Sequence, residues 1–125
     1  MKTILIAEDD SSTLELIVAV LQPLGHSIVT ATNGREAIQQ AEQVRPDLLV
    51  LDIIMPQGHG FVVCKELRGR SEFDRMKILV LTSKAYAADE RQAMELGADA
   101  FMNKPFAIKE LQNEVATLLS QERGD

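Results

Sequence analysis

An α/β fold built on a doubly wound parallel sheet follows from three features of this sequence. Five short apolar runs, at residues 3–7, 27–31, 48–51, 78–81 and 100–102, alternate with segments whose apolar residues recur at helical spacing. Three of the runs contain the stretches ILIA, LLVL and ILVL, apolar at every position, which is how strands covered on both faces read. The alternation runs along the whole chain, so successive strands are joined by helical crossovers that cover both faces of the sheet.

Each helical segment has its own markers. Leu14, Ile17, Val18 and Leu21 share one face of the first helix, with Ser11 and Ser12 as cap candidates, Ser12 and Glu15 spaced as a capping box, and Pro23 and Gly25 beyond its end. The second opens at Asn33-Gly34-Arg35-Glu36 and stops before Pro46, because the residue preceding a proline is pushed out of helical geometry. A third is expected over 61–68, and a fourth over 87–96 with Gly97 as its stop. The fifth, over 108–119 after Pro105, carries Ile108, Leu111, Val115, Leu118 and Leu119 as its apolar stripe. The residues alone leave the strand order open; the expected order, 2-1-3-4-5, is that of known flavodoxin-like sheets.

Length and composition bound the function. With 125 residues, 46% hydrophobic and 26% charged, one globular domain spanning 1–125 is expected. A net charge of −6 argues against nucleic acid as a partner. The single cysteine, Cys64, forms no intrachain disulfide and suits a reducing cytoplasm. No apolar run approaches the roughly 20 residues needed to span a bilayer, so no membrane partner is expected. Met1-Lys2-Thr3 leads straight into the first strand without a signal-peptide layout. The expectation is a soluble, cytoplasmic, acidic domain.

Ligands of doubly wound sheets sit beyond the carboxyl ends of the strands, where strand order reverses. In the order above that point lies between the first and third strands, which end in Glu8-Asp9-Asp10 and Asp52. Two unit charges about 4 Å apart repel by roughly 4 kcal/mol at an effective dielectric of about 20, so such a cluster calls for a cation. Carboxylate oxygens with few other donors suit Mg²⁺. Any one of these acids alone is explained as solvated or as a helix cap, Asp10 above all; two strand ends supplying them independently point to a site. The fourth strand closes at Thr82-Ser83, bringing hydroxyls, and the fifth at Lys104-Pro105, bringing an ammonium able to pair with Asp52 and with a phosphoryl oxygen.

At these residues the chain resembles the receiver domain of bacterial two-component response regulators. The resemblance runs from residue 4 to about 119 and rests on ILIAEDD, LLVLDIIMPQGHGF, ILVLTS and GADAFMNKPF, in that order and spacing. It implies that Asp52 accepts a phosphoryl group, that Asp9 binds Mg²⁺ directly and Glu8 through water, and that the backbone carbonyl of Ile54 is a further metal ligand. It makes Thr82 the switch hydroxyl, Phe101 the switch aromatic and Lys104 the phosphate-binding lysine. Met55-Pro56 and Gly60 match the loop after the acceptor, where Gly60 is expected to supply a backbone conformation closed to bulkier residues. The implied function is a phosphorylation-activated switch without separate substrate turnover. Its partners would be a sensor histidine kinase or phosphotransfer protein, and a downstream protein docking on helix four, strand five and helix five. The chain would be a stand-alone receiver or one belonging to a larger regulator or hybrid kinase.

Two departures bear on signal lifetime. The side chains two after the acceptor and two after the switch hydroxyl, which by resemblance would hold an attacking water, are Ile54 and Lys84; isoleucine has no polar group and lysine no acceptor. Two other classes compete with the switch. A nucleotide- or flavin-binding domain would need a glycine-rich loop where Glu8-Asp9-Asp10 stand. A metal-dependent phosphatase using Asp52 would need a substrate pocket and usually a general acid at the position of Ile54. His26 and His59 read as surface residues, Cys64 as a buried filler, and Tyr86, Met94 and Met102 as packing or surface residues.

Overall fold

The three fully apolar runs form the centre of the sheet. The computed structural model describes residues 1–55, 60–83 and 87–121. Its main elements are β1 (Thr3–Ala7), α1 (Ser11–Leu21), β2 (Ser27–Ala31), α2 (Gly34–Val44), β3 (Leu48–Leu51), α3 (Gly60–Arg68), β4 (Lys77–Thr82), α4 (Ala87–Glu95), β5 (Ala100–Asn103) and α5 (Ile108–Ser120). All strand pairs are parallel, in the order β2-β1-β3-β4-β5, as expected. β3 and β4 are buried at every position, whereas the edge strands β2 and β5 are partly exposed.

Strand alternation divides the core in two. Leu5, Leu49, Leu51, Ile78 and Val80 pack with apolar residues of α2, α3 and α4 on one face. Ile4, Ile6, Val50, Leu79 and Leu81 pack with α1 and α5 on the other. Cys64 is buried in the first of these clusters, a core filler as expected. Ile108 departs from the expected stripe: it is the first residue of α5 and is 57% exposed, whereas Leu111, Val115 and Leu118 are buried.

Helix termini show one correction. The cap of α1 is Asp10, not Ser11 or Ser12, because its carboxylate accepts from the Thr13 N–H at 2.8 Å and the Thr13 hydroxyl at 2.6 Å. Ser12 therefore lies inside the helix and the Ser12–Glu15 capping box does not form. Asn33 caps α2 as expected, accepting from the Glu36 N–H at 2.8 Å. Gly97, at φ +108°, follows α4 as its stop. Gly60, by contrast, is not in the left-handed region, so its conformational freedom is not what the site requires.

Two long-range cations lock the scaffold. The Arg68 guanidinium donates to the carbonyls of Gly97 and Phe73 and to the Asp99 carboxylate, each at 3.0 Å. The same Asp99 oxygen accepts from the Ile78 N–H at 2.8 Å, so α3, β4 and the turn after α4 share one knot. Buried Lys77 donates to the Leu118 carbonyl at 3.1 Å, tying the end of α5 to β4. His26 accepts from the Lys2 N–H at 3.1 Å and is part of the surface, as expected; Pro56, His59, Lys84 and Tyr86 lie outside the described residues. No helix among the described residues is long and apolar enough to cross a membrane.

Candidate functional site

The sheet register assembles the site. Ala7 pairs with Leu51, and the ladder runs one step further: the Glu8 N–H donates to the Ala31 carbonyl and the Asp52 N–H to the Ala7 carbonyl, each at 3.0 Å. On the other side Thr82 pairs with Asn103, and the Lys104 N–H donates to the Thr82 carbonyl at 2.8 Å. Four strand ends therefore place Glu8, Asp52, Thr82 and Lys104 around one crevice by backbone pairing alone. The Lys104-Pro105 bond that follows is cis.

Carboxylate oxygens of Glu8, Asp9 and Asp52 lie within 4.8 Å of one another. Glu8 and Asp52 are buried, at 1% and 7% exposure, while Asp9 is open to solvent. The Lys104 ammonium bonds to Glu8 and stands 3.4 Å from Asp52. Asp52 also accepts from the Ile54 N–H at 2.9 Å, and Glu8 from the Asp10 N–H at 3.2 Å. Burial pushes the Glu8 carboxyl up to about 7, with repulsion from Asp52 adding to it and the Lys104 and Asp10 hydrogen bonds opposing it. The arrangement is short of positive charge, with one ammonium between two buried carboxylates and a third carboxylate at the mouth. Its donor set fits a hard divalent cation bound through carboxylates.

Asp10 does not join the cluster. Its carboxylate is engaged by Thr13, whose hydroxyl and N–H hold it below its usual range. Thr82 is fully buried, and its hydroxyl has no hydrogen-bond partner among the described residues. Phe101 is half-buried against the α2–α4 core cluster. A cleft of about 550 Å³ opens over the carboxylates, and Leu16, Ile54, Pro105 and Phe106 give it apolar walls. Sequence reasoning missed Leu16 and Phe106. Leu16 had a signal, since it lies off the buried stripe of α1 and is 51% exposed.

Comparison with known proteins agrees with this geometry. Residues 4–116 match the response regulator receiver domain. The transcriptional regulatory protein PhoP of Bacillus subtilis, named for alkaline phosphatase synthesis, is 39% identical over 94% of this chain and 48% of its own length. The chain thus spans about half the length of the curated relatives it matches. Among solved structures, a Chloroflexus aurantiacus chain described as a response regulator superposes with a TM-score of 0.91 at 32% identity, covering 96% of this chain and 98% of its own. The receiver domain of the sensor histidine kinase PA1611 from Pseudomonas aeruginosa, which holds a magnesium ion in its active-site cleft, superposes at 0.88 with 28% identity, covering 96% and 98%. With the sheet order, the crevice and the match over nearly the whole chain in agreement, this chain belongs to the response regulator receiver domain family.

Proposed function

We propose that residues 1–125 act as one cytoplasmic receiver unit, alone or within a longer regulator, switched by phosphorylation of Asp52. The observation that carries this reading is the buried Asp52 carboxylate, grouped with those of Glu8 and Asp9 and standing 3.4 Å from the Lys104 ammonium. A nucleophilic carboxylate with cationic help beside it is what phosphoryl transfer to a side chain demands, since that chemistry is mostly positioning and charge neutralisation.

By the resemblance, Asp9 and Asp52 would hold Mg²⁺ directly, Glu8 through water, and the Ile54 carbonyl would add a ligand; the grouped carboxylates and the magnesium in the cleft of the Pseudomonas receiver support a magnesium ion at this site. Mg²⁺, when bound, supplies charge neutralisation for phosphoryl oxygens. A carboxylate oxygen of Asp52 forms the new bond to phosphorus as the bond to the donor breaks. With a phosphohistidine of a sensor kinase or phosphotransfer protein, the imidazole nitrogen keeps the electron pair. Lys104 pairs with a phosphoryl oxygen, for which its place beside Asp52 suits it. The buried Thr82 hydroxyl, without a hydrogen-bond partner among the described residues, then gains an acceptor. Its movement vacates space for Phe101 and reshapes the face of α4, β5 and α5, where a downstream protein docks.

The test is phosphoryl uptake. Incubated with acetyl phosphate or phosphoramidate and Mg²⁺, the intact protein gains the mass of one phosphoryl group, and Asp52→Asn gains none. No increment with either donor, or an undiminished increment in Asp52→Asn, overturns the reading.

A further inference from the structure

We propose that the groove along the outer edge of β5 docks a basic segment of a partner protein that carries apolar anchors. The proposal rests on the switch reading above and names the chemistry of the downstream partner. β5 is the last strand of the sheet, so its outer edge pairs with no other strand among the described residues. Beside it lies a groove of about 440 Å³ lined by Phe101, Met102, Asn103, Pro105, Glu110 and Glu114.

Apolar anchoring comes from the strand. Phe101 packs against the core cluster on one face of the sheet and Met102 against that on the other, and both stay half-exposed. Affinity at such a site comes from a few apolar side chains filling the groove. Selectivity comes from the wall. Glu110 and Glu114 stand one helical turn apart on one face of α5, and among the described residues no lysine or arginine lines the groove. Lys109 follows Ile108 on the same helix, but a neighbour in sequence is turned about 100° away and does not face the same space. On the other side of β5, α4 exposes Met94 at 43% with Glu90 and Glu95 around it, and Arg91 is the one cation of that patch among the described residues. An acidic partner would meet at the groove wall two carboxylates that have no ion pair among the described residues, in a chain of net charge −6; a basic one meets its complement.

The groove is also wired to the crevice. Asn103, in its lining, pairs with Thr82 and immediately precedes Lys104. Phe101 pairs with Val80 two residues before Thr82. A change at the Thr82 hydroxyl is therefore transmitted to the groove through adjacent ladder positions.

The probes are two short synthetic peptides with leucines at helical spacing, one with lysines and the other with glutamates at all remaining positions. Each is titrated into the ¹⁵N-labelled full chain carrying beryllofluoride and Mg²⁺. The lysine peptide gives saturable amide shifts at residues 101–103, 110 and 114 and binds at least about ten-fold tighter than the glutamate peptide. The preference shrinks as salt is raised from roughly 0.05 to 0.5 M, because the wall carboxylates are exposed to screening. Glu110→Lys/Glu114→Lys removes or reverses the preference. Glu15→Lys/Glu72→Lys, the same charge change at exposed positions on other elements, keeps it. Equal affinities, shifts confined to other surfaces, or an equal loss in the control variant overturn the proposal. Phosphoryl uptake by the unaltered chain is read separately. Uptake without peptide preference sinks the groove alone, whereas absent uptake sinks the switch reading on which it rests.

Discussion

A Cβ on Gly60 would lie 2.4 Å from the carbonyl oxygen of Asp52 and 2.2 Å from the Cα of Ile53. The Gly60 N–H also donates to the Ile53 carbonyl at 2.9 Å, so the first residue of α3 is docked on the backbone that carries the proposed acceptor. Neither neighbour is a side chain that could swing away. Gly60→Ala therefore has to push α3 and the end of β3 apart. The overpacking costs about 1–3 kcal/mol, read as a lower urea midpoint, and displaces Asp52, read as slower phosphoryl uptake. A variant equal to the parent in both measurements would refute the close approach.

Asp9 and Lys104 should separate metal binding from transfer. Asp9 is an exposed charged oxygen donor of the cluster, and Asp9→Asn weakens Mg²⁺ binding roughly ten-fold or more by calorimetric titration. Lys104→Ala leaves the three carboxylates in place, so Mg²⁺ still binds within a few-fold of the parent. Phosphoryl uptake falls roughly a hundred-fold, the scale of losing one placed charge-stabilising donor. Uptake at the parental rate in Lys104→Ala would remove the role assigned to it.

What could be read in advance was whatever has a local signature. Uninterrupted apolarity marked β1, β3 and β4, since a strand covered on both faces is apolar through its middle, with the polar residues of β4, Lys77 and Thr82, at its two ends. Once the order placed β1 beside β3, the proximity of Glu8 and Asp52 followed from strand ends alone. The α1 cap was harder, because Asp10, Ser11 and Ser12 are all capable caps within one turn. The choice fell to where the chain leaves β1, and Glu8 holding the Asp10 N–H at 3.2 Å helps set that exit. The Arg68 knot had no signature at all. Two of its acceptors are the carbonyls of Gly97 and Phe73, groups every residue carries, and only tertiary packing aims them at one guanidinium.

The buried Thr82 hydroxyl gives the switch its own test. Having no partner among the described residues of the unphosphorylated chain, it favours whichever state offers an acceptor. Thr82→Ala should take up phosphoryl at Asp52 and yet lose most of the spectral response to beryllofluoride at Phe101 and along α4, followed by NMR. The same response in variant and parent would disconnect the hydroxyl from the motion.

A prediction about signal lifetime rests on Ile54. Its N–H holds Asp52 at 2.9 Å, so the residue is fixed next to the acceptor, and its side chain, 45% exposed, forms part of the cleft wall. Hydrolysis of an acyl phosphate needs a water aligned behind the phosphorus. The side chain that the resemblance sets beside that approach is branched and apolar, able to crowd a water but not to hold one. Lys84, the second position implicated by the resemblance, lies outside the described residues and could not accept a bond from the water in any pose. Phospho-Asp52 should therefore persist by itself, leaving reset to a partner phosphatase or to reverse transfer. Ile54→Asn supplies a donor and an acceptor at the same position and should shorten the lifetime several-fold, a barrier change of roughly 1 kcal/mol. Lys84→Glu should act in the same direction. Decay is followed on purified phosphoprotein by the loss of the phosphoryl mass increment, and the argument fails if neither variant decays faster than the parent.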